Sequence, residues 1–127
     1  KKEALKIVQE SGYELENLSD EFKKDKEVVL AAVKQEGQAL EYADKKLKGD
    51  KEFVLAAVKH GGGTLYYADD KLKADKDVVL AAVKQSGDAL QYADESLKKD
   101  KKIILSKPGI YKVSDIEIFL KENKGNI

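Results

Sequence analysis

His60 is the only histidine among the 127 residues, and Gly61, Gly62 and Gly63 follow it directly. A histidine ahead of a glycine run resembles the oxyanion loop of lipase-like hydrolases, but that chemistry also needs a Gly-x-Ser-x-Gly nucleophile turn and a further acid-base partner. Neither is present. As a phosphate cradle the run lacks the closing Gly-Lys-Ser/Thr, and Leu65-Tyr66-Tyr67 stands there instead. Asp75-Lys-Asp77 opens like a calcium loop, without the sixth-position glycine or the glutamate at position twelve. Without cysteine there is no disulfide, no thiolate metal site and no thiol nucleophile. The residues that remain able to make specific contacts are His60 and Gly62, the neighbouring Tyr66, and the recurring Tyr42, Tyr67 and Tyr92. The expectation is a binding surface with no catalytic residue, no metal and no cofactor.

These residues sit in a repeat. Asp25-Lys-Glu-Val-Val-Leu-Ala-Ala-Val-Lys-Gln returns from Asp50 and again from Asp75, each time 25 residues on. Units of that length cannot each enclose a core and must stack on one another. The predicted class is therefore all-α, a solenoid of short two-helix repeats forming one domain over 1–127. Residues 1–24 read as a degenerate first repeat, with Leu5, Val8, Gly12, Leu15 and Phe22 in register with Leu30, Val33, Gly37, Leu40 and Leu47. Full repeats occupy 25–49, 50–74 and 75–99. A truncated repeat starts at Asp100 and stops at Pro108, which cannot donate an N–H to a continuing helix. After it, Ser114, Ile116, Phe119, Leu120 and Gly125 predict a C-terminal capping helix.

Within a unit, Asp25, Asp50, Asp75 and Asp100 each precede an apolar run and are placed to cap a helix. Gly12, Gly37, Gly62 and Gly87 stand where that helix should end in a left-handed residue. A short second helix is expected over Ala39–Ala43 and its copies, then a capped turn of 3₁₀ type from Ser19, Asp44, Asp69 or Asp94. The main helix is apolar nearly all round, from Val28 to Val33, which predicts burial on every side. In the first unit Glu3 replaces Val28 and Lys6 replaces Ala31, as suits the end of an array.

The chain carries 24 basic and 24 acidic side chains, with lysine supplying every basic charge. Such a balance gives no overall attraction to nucleic acid or an anionic membrane. Without arginine, phosphate can be met only by point charges. Rows at Lys34, Lys59 and Lys84 and at Lys48, Lys73 and Lys98 are accompanied by acids at 27, 52 and 77. No apolar run approaches the length of a membrane span and no signal-peptide pattern opens the chain, so an intracellular, cytoplasmic protein is expected. Because residue 1 is Lys rather than Met, an upstream targeting segment, and with it secretion, stays open.

The string Asp-Lys-Glu-Val-Val-Leu-Ala-Ala-Val-Lys-Gln-x-Gly-x-Ala-Leu-x-Tyr-Ala-Asp-x-x-Leu-Lys resembles the DUF4116 repeat over residues 25–105, and more weakly over 1–24. The resemblance implies tandem helical units serving as an interaction module, and it carries no catalytic residue. The unit is also similar in size to the leucine-rich variant repeat, which alternates an α-helix with a 3₁₀ helix. The functional expectation is a non-enzymatic module for protein or peptide binding or scaffolding, acting as a monomer and without a membrane partner. The alternative is nucleic-acid binding through the lysine rows and the tyrosine ladder. Copy three departs most from the others, through Phe53, His60, Gly61, Gly63, Thr64 and Tyr66, and is the expected place of a specific surface.

Overall fold

In the computed structural model the described residues are 1–108 with Lys121 and Glu122. All regular structure among them is helical, and each unit combines one long α-helix, one 3₁₀ helix and one short α-helical turn. The long helices are α1 (Lys2–Glu10), α3 (Lys26–Gln35), α5 (Lys51–Val58), α7 (Lys76–Gln85) and the shortened α9 (Lys101–Leu105). The 3₁₀ helices are η1 (Gly12–Asn17), η2 (Gly37–Tyr42), η3 (Gly62–Tyr67) and η4 (Gly87–Tyr92). The turns are α2 (Asp20–Lys23), α4 (Lys45–Lys48), α6 (Asp70–Lys73) and α8 (Glu95–Lys98). No helix among the described residues is long and apolar enough to cross a membrane.

Each long helix after α1 begins where an aspartate can satisfy its free N–H groups, whereas α1 starts from Lys1 without a side-chain cap. Asp25 accepts from Glu27 and Val28, Asp50 from Phe53, Asp75 from Asp77 and Val78, and Asp100 from Ile103. The next unit is then laid on in register: long helix packs on long helix and 3₁₀ helix on 3₁₀ helix, along the whole series. A backbone hydrogen bond ties each of the first three units to the next, from Asp44 N–H to Lys23 O, Asp69 N–H to Lys48 O and Asp94 N–H to Lys73 O, at 2.9–3.0 Å.

The core runs through the series. Val28, Val29 and Ala32 are fully buried, as are Val54, Ala57 and Val58 and then Val78, Val79, Ala82 and Val83. Helix α5 divides it: Phe53 and Ala57 pack with the first two units, and Val54 and Val58 with the later ones. Removing such surfaces from water, at about 25 cal/mol per Å2 of apolar area, is what a lone unit cannot achieve.

The structure corrects three expectations. The helix types are reversed: Ala39 N–H bonds Glu36 O and Ala43 N–H bonds Leu40 O, so the middle segment is 3₁₀, while the capped turn after Asp44 is α-helical. Apolar residues three apart share a face in either helix, so spacing could not decide between them. Helix α3 does not end on a left-handed glycine. Glu36 ends it in extended backbone, φ −136° and ψ 112°, and Gly37 opens η2. Burial of the long helices is also incomplete, since Leu30, Ala31, Leu55, Ala56, Leu80 and Ala81 are only half-buried and leave one stripe facing outward. In the first unit Glu3 and Lys6, which replace Val28 and Ala31, are exposed. The helix expected around 114–125 lies outside the described residues, apart from helical Lys121 and Glu122.

Candidate functional site

Gly12 and Gly62 show why glycine recurs at its place in the unit. A Cβ on Gly12 would collide with the carbonyl oxygen of Ala32, and one on Gly62 with that of Ala82. The 3₁₀ helix of one unit thus approaches the long-helix backbone of the next as closely as the chain permits. Gly62 is buried by this contact and builds the stack, so among the expected contact residues it faces a neighbouring unit.

Its neighbours face the other way. Helix α5 ends early, at Val58, and Lys59 and His60 form an exposed turn in which His60 N–H bonds Ala57 O at 3.1 Å. Gly61 and Gly63 then line an open cleft of about 510 Å3, together with Thr64 and Tyr66. Its remaining walls are Gly37 and Gln38 from the unit before, Tyr67 from the same unit and Tyr92 from the unit after. Four of the residues by which unit three departs from its copies therefore meet in one cleft spanning three units. His60 stands beside it without lining it, and Phe53 is buried in the core.

The aromatic wall is fixed by mutual contact. Tyr66 packs edge-to-face on Tyr67, with ring centres 5.0 Å apart, and on Tyr92, at 5.2 Å. Such pairs contribute about 0.5–1.5 kcal/mol beyond the area they bury. Tyr66 is 55% exposed, and the Lys73 ammonium lies 5.2 Å from its ring centre. Burial, with Glu41 adding to it, raises the Tyr67 pKa above its ordinary value, so the phenol stays a hydrogen-bond donor at neutral pH. Tyr42 is half-buried one unit back; burial, then the charges of Glu16 and Glu41, raises its pKa too, but it does not line the cleft. Gln38 is held from behind by the Tyr13 hydroxyl, which donates to Gln38 Oε1 at 3.2 Å.

The floor is Thr64, where the flanking copies have Ala39 and Ala89. It is 2% exposed and its hydroxyl has no hydrogen-bond partner among the described residues. The absence of a side chain on Gly37 makes room for it, since a Cβ there would collide with Thr64 Oγ1. Comparison of the copies singles out Thr64 and Tyr66, and the tyrosine ladder singles out Tyr67 and Tyr92, but not that Gln38 and Tyr92 of the adjoining units share one cleft with them.

None of the lysine rows converges on the cleft. Lys34, Lys59 and Lys84 are exposed elsewhere, Lys73 is 3.8 Å from Asp70, and Lys98 pairs with Glu95 at 2.9 Å. Asp44, Asp69 and Asp94 are each engaged in capping, with Lys46, Lys71 and Ser96 N–H respectively.

One family model, described as a domain of unknown function, DUF4116, matches the chain three times, over residues 2–48, 50–98 and 75–106. No curated protein and no solved structure matches it. The matches cover most of the chain and follow the repeated units, and on that ground the chain belongs to the DUF4116 family.

Proposed function

We propose that the chain is a non-enzymatic module that binds a protein or peptide, with the unit-three cleft as its contact site. The observation that carries this reading is the meeting of Gly61, Gly63, Thr64 and Tyr66 in one cleft. In a repeat, residues that build the stack recur, and those that depart from the pattern are free to serve a partner. Here the departures expose an aromatic ring beside backbone with open space: no atom of the described residues lies within 4 Å of the position a Gly63 Cβ would take. That combination suits a contact made by side chain and main chain together. The module acts as a monomer in this reading, and a chain without cysteine suits a reducing, intracellular setting.

Nucleic-acid binding is the competing reading, favoured only by the lysine beside Tyr66. A bound strand needs cations along its phosphates, and no lysine among the described residues lines the cleft. Selection of a random displayed peptide library on the 127-residue chain tests the two together with heparin chromatography. Enrichment of a peptide consensus, with elution from heparin at low salt, supports the protein-binding reading. No enrichment, with heparin retention that collapses only as salt is raised, contradicts it.

A further inference from the structure

We propose that the unit-three cleft takes a proline-rich segment in the polyproline II conformation, running along the series and advancing three residues per unit. This names the ligand class of the peptide-binding site and rests on that reading. The first argument is dimensional. A polyproline II helix repeats every three residues, a rise of about 9 Å. With Tyr66 in contact with both Tyr67 and Tyr92, those two rings stand no more than about 10 Å apart, in keeping with the spacing of packed helices. Prolines three residues apart can therefore meet equivalent tyrosines of successive units, with Tyr66 between them.

The second argument is chemical. In a chain in which 38% of residues are charged, no charged residue among those described lines this cleft. Its walls are tyrosine rings and glycine backbone, with the exposed Gln38 amide at one side. Pyrrolidine rings pack on such aromatic faces, and the backbone carbonyls of a polyproline II segment have no internal partner, so they can accept from tyrosine hydroxyls and from Gln38. The segment is also ordered before it binds, which lowers the entropy lost in a shallow, open site.

The other recognition modes fit less well. A docked amphipathic helix needs a groove of aliphatic side chains, and an added strand needs a sheet edge, whereas the described residues contain no strand. A nucleic-acid strand needs cations along its phosphates, and among the described residues no lysine lines the cleft, Lys73 standing alone beside Tyr66.

The test is a titration of the isotope-labelled 127-residue chain with blocked decaproline, followed by NMR, beside a blocked alanine-glutamine peptide of equal length and decathymidylate. Decaproline is expected to shift the amides of Gly61, Gly63 and Tyr66 saturably, with the other two probes at least about tenfold weaker. Tyr66→Glu, which restores the residue of unit two at an exposed position, should weaken decaproline binding about tenfold, and Lys34→Gln outside the cleft should leave it unchanged. Unmoved cleft amides, or an equal response to the alanine-glutamine peptide or to decathymidylate, overturns the proline assignment. In that case peptides of another composition selected on the same chain would still uphold the broader peptide-binding reading, and failure of that selection would remove both.

Discussion

Lys26 Nζ lies 3.2 Å from the carboxylate of Asp50, the residue whose Oδ1 caps helix α5 by accepting from Phe53 N–H at 3.1 Å. One aspartate thus starts its own helix and anchors the lysine of the preceding unit. The arrangement repeats as Lys1 with Asp25, Lys51 with Asp75 and Lys76 with Asp100, each at 3.1 Å.

The two halves of that arrangement differ in weight. A helix cap is worth about 1 kcal/mol, and an ion pair this accessible contributes less. Asp50→Ala should lower the unfolding free energy by about 1–2 kcal/mol and Lys26→Gln by no more than about 0.5 kcal/mol, measured by urea denaturation. Equal losses would show that the ion pair, not the cap, secures the unit boundary.

Acid should weaken the same contacts. The Phe53 N–H and then Lys26 hold the Asp50 carboxyl below its ordinary range, and the Ile103 N–H, then Lys76 against some burial, do so for Asp100. At Asp25 and Asp75 partial burial works against the charge but is outweighed by the cap hydrogen bonds and the lysines. With folded pKa values below the unfolded value of about 3.9, this stabilisation is complete above that pH and is lost as pH falls through the folded values. The melting temperature should therefore drop between about pH 4 and pH 2, less steeply in Asp50→Asn. An equally steep drop in that variant would assign the acid sensitivity to other groups.

Adjacent glycines should respond oppositely to one methyl group. Gly62→Ala drives a Cβ into the Ala82 carbonyl and should cost about 1–3 kcal/mol through overpacking. Gly63→Ala meets open space and should be neutral or stabilise by up to about 1 kcal/mol, by restricting the unfolded chain. Thermal melts of the two variants check this, and similar midpoints would mean that the unit boundary is looser than the structure shows.

Thr64→Ala restores the residue of the neighbouring copies and removes a buried hydroxyl without a partner among the described residues. An unsatisfied buried polar group costs about 1–3 kcal/mol, so the variant should unfold at equal or higher denaturant despite the small void it leaves. A loss of more than about 1 kcal/mol would show that the hydroxyl makes a bond worth keeping.

Period, caps and core were legible in the sequence because they depend on residues near one another along the chain, as Asp25 depends on Val28. The role of Gly62 was not, because its reason is the Ala82 carbonyl twenty residues on, and a residue pattern records the need for glycine without the neighbour that imposes it. The 3₁₀ character of η2 escaped for a related reason: Leu40 and Ala43 satisfy both helix types, and only the hydrogen bonds distinguish them. For the cleft, comparison of the copies marked Tyr66 and Thr64, whereas Gln38 and Tyr92 belong to it only through stacking.

The most direct test of the central claim, that the departures of unit three form a binding site, is to return them to the residues of unit two. Gly61→Glu, Gly63→Gln, Thr64→Ala and Tyr66→Glu would be combined in one chain, and the affinity for a library-selected peptide measured by calorimetry beside the wild type. The account predicts a loss of at least about tenfold, since exposed aromatic anchors carry most of such binding energy, with helical content and cooperative unfolding retained. Unchanged affinity in a folded variant would contradict it.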